Sequence, residues 1–201
     1  MLYEHRGKRP TVDPSATIAP NAVLCGDVRV GRGCAIAFGA VLSAEDGSIT
    51  LGENCIVMEN AVIKAGKRAP VRVGNHVLIG PRAYLTGCTI ADDVFLATGA
   101  TVFNHAAIGA RAEVRINGTV HLKTRLPADA TVPIGWVAVG DPAAILPPDR
   151  HDAIWAIQEK LDFPKAVFGL DRPAAGMSVM PELTRRYAAF LAAHRDDIAV
   201  E

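Results

Sequence analysis

IADDVFLATGATVFNHAAIGARAEVRINGTVHLKTRLPADATV, residues 90–132, decides the fold. An aliphatic residue returns at every sixth position: Ile90, Leu96, Val102, Ile108, Val114, Val120, Leu126 and Val132. Ordinary half-buried strands alternate with period two, so this spacing has a different cause. Four residues after most anchors sits a small one, as at Ala100, Ala106, Ala112, Gly118 and Ala130. Each hexad therefore reads as a short strand plus a corner. The aliphatic side chain fills the interior of a prism and the small one lets the chain turn. Successive coils then stack at roughly 4.8 Å through backbone hydrogen bonds. The pattern predicts a parallel β-helix of hexapeptide repeats, in which no coil buries its apolar face alone.

Upstream the same frame holds at Val12, Ile18, Leu24, Val30, Ile36 and Leu42, then at Leu51, Val57 and Ile63, then at Val73, Ile79 and Leu85. It breaks after Leu42, after Ile63, and by one residue between Leu85 and Ile90. The first two breaks predict loops, at Asp46-Gly47-Ser48 and at Lys67 to Pro70, that bulge from one corner. Loops on one edge of a repeat array often line a binding site.

The prism is expected over residues 11–146, after an extended lead-in at 1–10. Pro133, Pro142, Pro147 and Pro148 are expected to end the strands, with turns at Gly135 and Gly140. A helical extension follows at 147–201. One helix runs from His151 to Phe163 and stops at Pro164. After a Gly/Pro/Ala-rich loop (169–180), a second starts at Pro181, with Leu183, Tyr187, Phe190, Leu191 and His194 on one stripe. These helices are expected to pack along a prism face or to clasp a neighbouring subunit.

Lys plus Arg equals Asp plus Glu, at 21 each. That balance offers no footprint for nucleic acid or an anionic membrane and favours self-association. Cys25, Cys34, Cys55 and Cys88 form no CxxC, and Cys34 and Cys55 fall on small corner positions. Those two read as buried apolar residues, and the set as a whole predicts a reducing compartment rather than a disulfide framework. The first ten residues lack a signal's apolar core, and no apolar run reaches membrane length. A soluble, cytoplasmic protein is expected.

Two segments carry a family likeness: LGENCIVMENAVIK (51–64) and VRVGNHVLIGPRAYLTGCTI (71–90). With the insertions, the slip after Gly87-Cys88 and the closing GDPAAIL, the chain resembles the γ-class carbonic anhydrase-like hexapeptide-repeat proteins over roughly residues 10–146. The likeness implies a left-handed β-helix, a homotrimer, and a zinc held at the subunit interface by three histidines. Those histidines fall on Lys64, Pro81 and Thr86. A supporting Arg and Asp fall on Ser43 and Glu45, and a Gln-Asp pair falls on Met58 and Glu59. Catalytic zinc needs three protein ligands and an open position for water. Proline offers no donor, threonine is a poor one and a cationic lysine repels the ion. No metal or other cofactor is expected there, and no hydration of carbon dioxide.

The stacked columns instead suggest a metal-free small-molecule pocket, at the interface if the trimer resembles the family's. Lys64 would bind an anion or act as a base with its pKa lowered by burial, and Glu59 of the facing surface would orient it. Thr86 and Ser43 would hydrogen-bond substrate, with Glu45, Met58 and Pro81 alongside. The plainer reading is a Lys64–Glu59 salt bridge that holds a trimer together. Acyl transfer is a second enzymatic reading, with His105 or His121 as base. No phosphate-binding loop supports coenzyme A. A non-catalytic trimeric scaffold and a metalloenzyme with unexpected ligands stay open. His76, His105 and His121 read as corner or surface residues, and His5, His151 and His194 fall outside the prism.

Overall fold

The structure is a computed structural model that describes all residues except Arg172, Ala175 and Glu201. The hexads form a left-handed parallel β-helix whose three faces are three sheets, two of seven strands and one of ten. The ten-stranded sheet stacks its anchors in one line. Leu24 pairs with Leu42, Leu42 with Ile63, Ile63 with Leu85, and Leu85 with Val102. All five are buried. Each fully buried side chain of this kind contributes roughly 1.5–3 kcal/mol of transfer free energy, and the array is correspondingly rigid.

The corners follow one rule. The residue three places after an anchor adopts positive φ, at Asn54, Asn60, His76, Arg82, Asp93, His105, Arg111, Asn117, Lys123 and Asp129. The left-handed conformation reverses the chain. The small residue that follows, such as Ala61, Ala83 or Ala112, tucks inside without exposure. His76 and His105 are therefore corner residues, as their place in the hexad predicts.

Both insertions leave the same corner and stack. Gly47 lies so close to Gly66 that a Cβ on Gly47 would collide with the Gly66 carbonyl oxygen. Only glycine allows the two loops to lie one on the other.

The strands do not end at Pro133. Val137–Val139 continues the ten-stranded sheet, and Ala144–Leu146 folds back on it antiparallel. Pro133 and Pro142 sit in turns, where a missing N–H costs no ladder bond. At the other end of that sheet, Leu2–Glu4 of the lead-in pairs parallel with Val23–Cys25, and Ile198–Val200 pairs antiparallel with Leu2–Glu4. The final strand was not expected from the sequence.

Three helices make the extension: α1 (His151–Gln158), α2 (Phe163–Phe168) and α3 (Met180–Leu191). Helix α1 buries Ile154, and its Ile157 lies against Gly140. Pro164 starts α2 rather than stopping a helix. Asp162 turns the chain with φ 44°, and proline in a first turn forfeits no intrahelical bond. The expected loop at 169–180 contains Arg172 and Ala175, which lie outside the described residues. His194 is not on α3 but in the 3-10 turn Ala192–Asp196 that follows it. Among the described residues no helix is long and apolar enough to cross a membrane.

Candidate functional site

Register places Ser43, Lys64 and Thr86 side by side on the ten-stranded face. Outward-facing residues at this edge meet the insertion corner on one side and α3 on the other. Lys64 Nζ lies 3.1 Å from Glu45 Oε1 and donates to the Tyr187 hydroxyl, also at 3.1 Å. Glu45 reaches it from the first insertion, where its φ is 46° and its side chain is 6% exposed.

Burial works against the charge on Lys64, but the hydrogen bonds to Tyr187 and Glu45 outweigh it. The ammonium is held above its ordinary range. This corrects the expectation of a lysine base lowered by burial: within the chain Lys64 is a fixed cation. Its partner within the chain is Glu45. Glu59 is exposed on a different face, where Glu59 and Pro81 lie one coil apart.

Helices α2 and α3 roof a cavity of about 570 Å³ above this column. Tyr84, Phe103, Phe163, Phe168 and Phe190 form its apolar wall, while Lys64, Thr86 and Asn104 supply polar groups. Of the predicted site residues, the cavity gathers Lys64, Thr86 and Glu45. Ser43 stands next to Lys64 in the sheet. Met58 and Pro81 line a smaller groove, of about 440 Å³, on another face. His105 is an exposed corner residue and lines neither. His121 packs near Phe103, with ring centroids 5.9 Å apart, and its buried Nδ1 has no hydrogen-bond partner among the described residues. Desolvation holds its pKa below the usual histidine value.

Sequence reasoning missed a second cluster at the same edge. His5 and His194 both present Nδ1 to the Asp197 carboxylate, at 2.6 and 2.7 Å, and Cys25 Sγ lies 3.4 Å from it. The imidazoles stack with centroids 4.5 Å apart. Burial pushes the Asp197 pKa upward, but hydrogen bonds from His194, His5 and Cys25 leave it below the ordinary carboxylate value. The four residues span nearly the whole chain and only the pairing of the first and last strands unites them. No local pattern could have shown it.

A left-handed β-helix of hexapeptides places the chain in the class of hexapeptide-repeat proteins. The 33% identity to a mitochondrial γ carbonic anhydrase of Arabidopsis thaliana extends over 145 residues, 69% of this chain and 50% of that protein. A hexapeptide transferase family protein from Anaplasma phagocytophilum is 28% identical with a TM-score of 0.53, covering 79% of this chain and 90% of that one. A UDP-N-acetylglucosamine acyltransferase from Bacteroides fragilis, at 18% identity and a TM-score of 0.58 over 87% of this chain and 77% of its own, shares the fold. No protein-family profile matches. The chain belongs to the γ-class carbonic anhydrase-like family of hexapeptide-repeat proteins. It spans about half the length of the mitochondrial γ carbonic anhydrases it matches.

Proposed function

We propose that this chain is a γ-carbonic anhydrase-like homotrimer that has exchanged the interfacial zinc centre for a pocket taking a small amphipathic molecule. The observation that carries the reading is Lys64. At the position where the likeness implies a histidine ligand stands an ammonium group bound by Glu45 and Tyr187. That donor set does not fit zinc. Thr86 beside it is a weak donor, and Pro81 has none. A bound substrate would lay its apolar body against Phe103, Phe163 and Phe190 and its carbonyl or carboxylate oxygen on Lys64. In acyl transfer the ammonium would stabilise developing negative charge rather than remove a proton.

A groove holding Met58, Pro81, Phe95, Ile116 and Ile134 supports the trimer. Ile134 is 65% exposed and Ile116 45%, which suits a face met by another subunit. Four unpaired thiols support a reducing compartment such as the cytoplasm. A second reading, a non-catalytic assembly subunit, is favoured by the internal neutralisation of Lys64 and by the lack of any histidine on the cavity wall.

Carbon dioxide hydration, assayed with the protein saturated with zinc, tests the central claim, and no rate above buffer is expected. Hydration that vanishes in Lys64→Ala would overturn it. Binding of medium-chain fatty acids, read by calorimetry, separates the two readings. Affinity lost in Lys64→Ala supports a pocket, and no heat supports the scaffold.

A further inference from the structure

We propose that His5, Cys25, His194 and Asp197 form a structural zinc site that fastens the last strand and the α3 tail to the first coil. It is separate from the interfacial centre implied by the family, and it does not depend on the reading of the Lys64 pocket.

The donor set and its spacing support this. One nitrogen from each imidazole, one thiol sulfur and one carboxylate oxygen all lie within 4.8 Å of one another. Zinc bonds of about 2.0–2.3 Å in a tetrahedron set ligand atoms roughly 3.3–3.8 Å apart, so small side-chain shifts complete the site. Three of the four ligands are enclosed, with His5 1% exposed, Cys25 5% and Asp197 13%, while His194 at 31% closes the solvent side. Four protein ligands in a closed setting are the pattern of structural rather than catalytic zinc. One thiolate, one carboxylate and two neutral imidazoles balance the dication, so the buried centre carries no net charge.

A second, independent observation points the same way. Glu45 Oε2 is buried and has no hydrogen-bond partner among the described residues, yet it lies 3.4 Å from His194 Nε2. If the neutral His194 ring donates from Nδ1 to Asp197, its Nε2 has no proton to offer and Glu45 Oε2 has none to accept. If zinc takes Nδ1, the proton must sit on Nε2, and Glu45 Oε2 becomes its acceptor. A carboxylate behind a ligating histidine is the usual second layer of a zinc site. The proton count closes. Each imidazole moves one proton from Nδ1 to Nε2 and stays neutral, Cys25 releases its thiol proton to solvent, and one zinc ion enters.

The other oxygen of Glu45 holds Lys64. The metal would therefore also brace the wall of the cavity through a single side chain.

The test uses the full chain, stripped with chelator and titrated with cobalt(II) and then zinc. One equivalent of cobalt is expected to give d–d bands of tetrahedral intensity and a thiolate-to-cobalt charge-transfer band, with zinc displacing it. Cys25→Ser should abolish the charge-transfer band. His194→Ala should weaken zinc binding by at least a hundredfold. Glu45→Gln should weaken it by about 10–100-fold while keeping the band, and Lys64→Ala should leave the band intact. A wild-type spectrum of weak octahedral bands without thiolate character would overturn the proposal whether or not the variants fold. So would a stoichiometry unchanged in the Cys25→Ser/His194→Ala double variant.

Discussion

Lys64 sits at a junction of charge, and its surroundings set what its removal does. Lys64→Ala leaves the Glu45 carboxylate buried without its counter-charge, which should cost about 1–3 kcal/mol. Adding Glu45→Ala should recover part of that loss, so that the double variant is more stable than the sum of the singles predicts. Urea midpoints of the four proteins measure this. His121 gives a pH signature. Burial holds its folded pKa below the ordinary histidine value of about 6.5. As pH falls below 6.5 the unfolded chain takes up a proton that the folded chain refuses, and stability declines until the folded pKa is reached. His121→Gln should flatten the urea midpoint across that window, while an unchanged slope would remove His121 as the cause. The column of Ser43, Lys64 and Thr86 was legible because a six-residue period fixes which side chains stack. The charge state of Lys64 was not, because Tyr187 lies 123 residues away in sequence.

Among elements, the hexad is the unit of stability, and its place in the stack sets the cost of damage. Leu85 is fully buried between Ile63 and Val102, whereas Val12 lies in the open first coil and is only half-buried. Leu85→Ala should cost about 2–5 kcal/mol, and Val12→Ala clearly less. Thermal melts of the two variants compare them, and equal losses would mean that the end coil is packed as tightly as the middle. The coils, their anchors and the corner histidines could all be read from residues, since each depends on its own six positions and the coil beside it. The tail could not. Pro164 opens α2 instead of closing a helix because Asp162 takes the break upon itself. The strand Ile198–Val200 forms only because Leu2–Glu4 offers it an edge.

At the scale of the molecule, the proposed trimer rests on the apolar groove of Phe95, Ile116 and Ile134. Phe95→Lys with Ile134→Lys should convert trimers to monomers in sedimentation, with the circular dichroism of the β-helix kept. A wild-type monomer would refute the trimer directly.

The antiparallel strands at the two ends of the ten-stranded sheet carry a consequence of their own. A parallel stack has no intrinsic length, since each coil presents the next with the backbone groups it needs. Left open, its end would serve as a template for another molecule. Here Ala144–Leu146 turns back at one end and Ile198–Val200 lies reversed at the other. The widest face thus ends in strands that run against the direction of growth. They act as terminators of a polymer, and they make a finite particle of a fold that could otherwise extend into a fibre.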